Sequence, residues 1–151
     1  MRNLNSDSDT RNKILAPYFK ARETGGKKRQ LHDRGANRWQ GGCRHFTAMP
    51  VEALKFLVKE KFADPTETQN GSPSIASFIK FMERWPDFVL AHGYAVSRQK
   101  DDYRISVEGV EGHIPLNFEE RTEFESEFLK FTAGADEMEL NTNGYFRVWY
   151  D

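Results

Sequence analysis

The chain has 151 residues, a formal net charge of −1 and a single cysteine, Cys43. That length suits one domain of ordinary size, and one cysteine excludes an intrachain disulfide. No stretch approaches the ~20 apolar residues that a membrane span needs, and no apolar run near the start resembles a secretory signal, so the expected setting is cytoplasmic.

The charge is unevenly spread. Residues 1–46 carry +7, residues 47–100 carry +1 and residues 101–151 carry −9. The near-neutral total argues against a strongly basic nucleic-acid-binding domain of the usual kind. A basic arm joined to an acidic half can still mark nucleic acid or an acidic protein as a partner.

Residues 1–46 read as a flexible basic arm. Large apolar side chains are few there and Gly, Asn, Arg and Lys are frequent, a composition that buries too little to fold alone. Ile14, Leu15, Tyr18 and Phe19 form a small apolar cluster around Pro17. It reads as a partly ordered turn, or as a short peptide that docks on a groove of its own chain or of a partner. Further on, Lys27, Lys28, Arg29, Arg34, Arg38 and Arg44 surround Trp39 among repeated glycines. Basic residues with an interleaved aromatic can track a phosphate backbone and stack a base. They can equally form a solvated linker. The Gly25-Gly26-Lys27-Lys28 run lacks the upstream Gly spacing and the hydroxyl residue of a phosphate-binding loop.

From 47 to 151 the pattern predicts a small α+β domain in the order α-α-β-β-α-β-β, with antiparallel hairpins and helices packed on the sheet. Thr47, or Met49 ahead of Pro50, reads as a helix start. Leu54, Leu57, Val58 and Phe62 then make one apolar stripe. Ser72 followed by Pro73 predicts the start of the second helix, with Ser as cap and Pro in the first position. Ile75, Phe78, Ile79 and Met82 repeat at helical spacing, Phe81 and Trp85 widen that face, and Pro86 ends it.

The clearest signal is the stretch from Phe88 to Val110. Two strand-like runs flank a charged break, and Tyr103, Ile105 and Val107 alternate with Arg104, Ser106 and Glu108. That predicts a β-hairpin, with Gly93 marking a bulge or a close backbone approach. A third helix follows, capped by Asn117, striped by Phe124, Phe128 and Phe131 with Leu129 beside them, and stopped at Gly134. Asn143-Gly144 then predicts a closing hairpin.

No catalytic or cofactor motif keeps its required spacing. His32, Cys43 and His45 are metal-ligand types without a zinc pattern, and no cofactor is implied. Cys43 with His45 lacks the rigid support that nucleophilic catalysis needs. Asp101 and Asp102 fit a turn for backbone reasons. Helix, helix, hairpin is also the winged-helix order, but the second helix offers only Lys80 and Arg84 on its outward face.

The expected function is therefore non-enzymatic: a binding or regulatory module. The first candidate contact with nucleic acid or an acidic partner is the arm, through Lys27, Lys28, Arg29, Arg34, Arg38, Trp39 and Arg44. The alternative is a protein-interaction module acting through the acidic C-terminal half, with Glu119, Glu120, Glu123 and Glu127 as its face. The third reading is a small enzyme with a pocket at His92, Tyr94 and Arg98.

Overall fold

The computed structural model describes residues 3–19, 39 and 41–150. Four α-helices and five strands are present among them. In chain order they are α1 (Ser8–Leu15), β1 (Cys43–Met49), α2 (Val51–Lys59), α3 (Ile75–Arg84), β2 (Val89–Val96), β3 (Ile105–His113), α4 (Phe118–Phe131), β4 (Glu137–Leu140) and β5 (Tyr145–Trp149). The predicted α-α-β-β-α-β-β order is the order from α2 onward. The five strands form one antiparallel sheet in the order β1-β2-β3-β5-β4.

Two elements precede that order, so the fold begins before residue 47. Residues 43–49 form an edge strand rather than the start of a helix, and Pro50 caps α2 from outside. Helix α1 lies within the stretch read as a flexible arm. Its Asp7 cap accepts from the Thr10 backbone, and Leu15 is fully buried. After a tight 3-10 turn over Ala16–Tyr18, Phe19 bridges to Phe46 of β1. The Ile14–Phe19 cluster thus docks on its own chain.

Period-two alternation decides the two sheet faces. Phe46, Val89, Ala91, Ala95, Ile105, Val107, Val110, Phe146 and Val148 face the core and are buried. Helices α3 and α4 close that core with aromatic contacts. Phe81 stacks on Phe131 at 4.3 Å, Trp85 meets Phe124 at 5.2 Å, and Phe128 meets Phe146 at 4.9 Å. Helix α3 starts two residues later than the Ser-Pro signal suggests. Ser74, not Ser72, caps it by accepting from the Ser77 backbone. The Ser72 hydroxyl instead accepts from the Gln69 backbone in the preceding loop.

The other face carries His45, Thr47, His92, Tyr94, Ser106, Glu111, Arg147 and Trp149. Gly93 makes the close backbone approach, a Cβ there falling 2.0 Å from the Ser106 carbonyl oxygen, and the bulge lies opposite it on β3. The register of β2 on β3 shifts between His92 and Gly93, leaving Glu108 without an opposite residue. In the final hairpin Gly144 takes a φ of +90° and donates to the Asn141 carbonyl. A left-handed glycine closing a short loop is a recurrent hairpin geometry.

Candidate functional site

Two surfaces compete for the role. The first is the polar sheet face. A hollow of about 510 Å³ opens there between His45, Thr47, His92, Glu108, Glu137, Arg147 and Trp149. His92 is buried, and its Nε2 lies 2.8 Å from the Val148 carbonyl oxygen. A carbonyl only accepts, so Nε2 carries the proton and Nδ1 is the acceptor. Burial lowers the His92 pKa, with nearby Arg147 pushing the same way against the Val148 hydrogen bond and the Glu111 and Glu108 charges. The ring is held neutral.

The neighbours of His92 are engaged with one another. Glu111 takes the Thr47 hydroxyl, the Ala48 backbone N–H at 2.7 Å and the Tyr145 hydroxyl at 3.5 Å. Arg147 Nε lies 3.7 Å from Glu111 Oε1, and its guanidinium sits 4.7 Å from the Trp149 ring centre. His45 Nδ1 lies 3.4 Å from Glu108 Oε1. Burial raises the Glu108 pKa, but His45, His92 and Gln69 outweigh it and the net shift is downward. The Tyr94 hydroxyl accepts from Arg104 at 2.8 Å. Such a network fixes strand register and side-chain position. Its proton-carrying groups face each other rather than a reacting centre.

Of the expected pocket, His92 and Tyr94 do share this face. Arg98 does not join them. It sits in the β2–β3 turn, 5.7 Å from the Tyr103 ring, beside a different hollow that includes Leu4 and Lys100. Among the described residues no three His, Cys, Asp or Glu side chains converge as a metal would require.

The second surface lies on the other side of β4, against α4 and the β4–β5 hairpin. Leu116 is 92% exposed, Phe118 78%, Leu129 63%, Leu140 56% and Met138 45%. A groove of about 350 Å³ runs between α4 and the β4–β5 hairpin, lined by Ile114, Leu116, Phe128, Leu129, Met138 and Leu140. The local reasons are legible in the structure. Leu116 precedes the Asn117 cap, a position that usually packs against an apolar residue four places into the helix. That place is Arg121 here, and Leu116 stays outside. Leu129 follows Phe128 directly, so it points about 100° away from the buried stripe. Met138 and Leu140 lie on edge strand β4, beyond the reach of α4.

One carboxylate, Glu125, lines this groove, paired with Arg121 at 3.6 Å, and other carboxylates stand nearby. Glu137 and Glu139 alternate with Met138 and Leu140 and are exposed, as are Glu119, Glu120 and Glu125. Of the acidic face expected from the sequence, Glu119 and Glu120 are open in the first turn of α4. Glu123 and Glu127 both pair with Arg84 of α3, Glu127 at 3.1 Å, and Glu127 also accepts from Trp85 Nε1 at 3.1 Å. These two glutamates clamp helix to helix.

Of the basic arm, Lys27, Lys28, Arg29, Arg34 and Arg38 lie outside the described residues. Trp39 meets Phe19 edge-on at 5.9 Å, and the Arg44 guanidinium lies 4.1 Å from the Phe19 ring centre. Both are thus engaged in packing the N-terminal segment. The residues missed by sequence reasoning are Leu116, Phe118, Met138 and Leu140, and Leu129 was counted with the buried stripe. The available signal was an apolar side chain standing off its own helical or strand face. No helix among the described residues is long and apolar enough to cross a membrane. No protein-family model, curated protein or solved structure matches this chain.

Proposed function

We propose that this chain is a protein-interaction module that docks a partner on the acidic, apolar surface of its C-terminal half. One observation carries the reading: Leu116, Leu129, Met138 and Leu140 stand exposed along one groove, with Phe118 exposed two residues from Leu116. Each such side chain forgoes ~1.5–3 kcal/mol of burial while it stays in water. Contiguous exposed apolar surface with a polar rim is the usual mark of a binding site. Exposed carboxylates lie near it, in the first turn of α4 and on β4, within a region of net charge −9, so the partner segment is basic as well as apolar.

The polar sheet face supports a catalytic reading less well, because His92, Glu108 and Glu111 each already hold a partner there. The basic arm remains a reading from sequence alone, since two of its seven candidate side chains pack internally and five lie outside the described residues.

A random-peptide display selection on the full chain tests the proposal. Enrichment of peptides rich in Lys, Arg and apolar residues, lost when the bait is L116D/L129D, is the expected result. Both leucines are exposed, so the double variant keeps its core. Failure to enrich, or enrichment indifferent to L116D/L129D, overturns it. Salt-sensitive binding of nucleic acid that survives the double variant would return the function to the arm.

A further inference from the structure

We infer that β4 receives the partner as an added antiparallel strand, and that this strand alternates basic and apolar residues. The inference rests on the C-terminal surface being a protein-binding one. It goes further by specifying the backbone geometry and the sequence pattern of what binds.

Among the described residues strand β4 is the last in the sheet, paired with β5 on one side only. The Asn141 N–H donates to the Tyr145 carbonyl at 2.8 Å. By antiparallel alternation Glu139 and Glu137 also turn their backbone groups toward β5. The backbone N–H and C=O groups of Met138 and Leu140 therefore point outward along the free edge. An extended segment laid against that edge satisfies them, which is the usual chemistry of strand addition.

The side chains then dictate the pattern. Residues directly opposite one another across a strand pair share a sheet face. Glu137 and Glu139 lie on the polar face, in register with Trp149 and Arg147. Met138 and Leu140 lie on the groove face, in register with Val148 and Phe146. A partner strand thus sets every second residue beside a carboxylate and the intervening ones beside Met138, Leu140 and the groove. Lys or Arg fits the first set, and aliphatic residues fit the second.

A second copy of this chain does not fit. Two β4 strands paired antiparallel about a two-fold axis would set glutamates opposite glutamates on the polar face. Like charges directly opposite are destabilising. The edge therefore discriminates against itself and in favour of a basic strand.

Fluorescence anisotropy on the full chain tests this with a short peptide alternating Lys and Val. Its controls are a Lys–Val peptide of the same length interrupted by Pro, which lacks the N–H donors that pairing needs, and a peptide alternating Glu and Val. The expected result is binding of the Lys–Val peptide and not of the Pro-punctuated one. The E137K/E139K variant should lose about tenfold or more in affinity for the Lys–Val peptide and gain affinity for the Glu–Val peptide. That exchange of preference cannot arise from misfolding. Equal binding of the alternating and Pro-punctuated peptides, both lost in L116D/L129D, overturns strand addition while the surface reading stands. Absence of binding by either peptide, or indifference to E137K/E139K, overturns the basic alternating pattern, and the display selection then decides the surface reading by itself.

Discussion

Gly109 decides where His92 can sit. A Cβ built on Gly109 would fall 1.7 Å from the Val148 carbonyl oxygen and 2.7 Å from His92 Nε2. Only a glycine lets the imidazole donate to that carbonyl across β3. Gly109→Ala is therefore expected to cost about 2–4 kcal/mol, read as a lower urea midpoint with an unchanged slope. His92 itself links stability to pH. Its pKa is below the ordinary value of 6.5 in the fold, so the unfolded chain takes up the proton first as pH falls. The contribution is fully present above pH 6.5 and is lost progressively below it. In His92→Gln this acid-side loss disappears, so the stability gap between wild type and variant narrows from pH 8 toward pH 5. A gap that widens on acidification contradicts a neutral, buried His92. The sequence marks His92 as a strand histidine and Gly93 as a bulge or a close backbone approach, because both signals are local. It could not mark Gly109, whose need for a bare backbone arises from Val148 on β5, far along the chain.

Helix α1 and strand β1 are the elements that patterning did not find. An amphipathic stripe was absent because α1 docks through a cation. Arg11 is fully buried, with its guanidinium 4.5 Å from the Tyr103 ring centre and 5.7 Å from that of Trp39. Its Nη1 also reaches the Arg104 carbonyl at 3.5 Å. Strand β1 escaped because its face toward the polar side carries His45 and Thr47, while Arg44 covers Phe19 on the other. Neither reads as apolar alternation. By contrast α2 to β5 were legible, since each buries a stripe or alternates cleanly. Arg11→Ala should remove the centre of this N-terminal contact and cost about 2–3 kcal/mol. It should also accelerate amide exchange in β1, measured by native-state hydrogen exchange. Unchanged exchange in β1 would show that the N-terminal helix does not brace that strand.

The whole molecule separates its two surfaces by the sheet. Helices cover one face, a polar network occupies part of the other, and the apolar groove lies between α4 and the β4–β5 hairpin. Fold class was readable from sequence because it follows from periodicity. The groove was not, because it is defined by apolar residues left uncovered, which requires knowing where α4 ends its reach over the sheet. Backbone amide chemical-shift mapping of the full chain, titrated with the Lys–Val peptide, tests the central claim most directly. The account predicts shifts concentrated at Leu116, Phe118, Leu129 and Met138 through Leu140, with His45, His92 and the N-terminal residues unmoved. Shifts confined to the polar sheet face or to the basic N-terminal residues would contradict it.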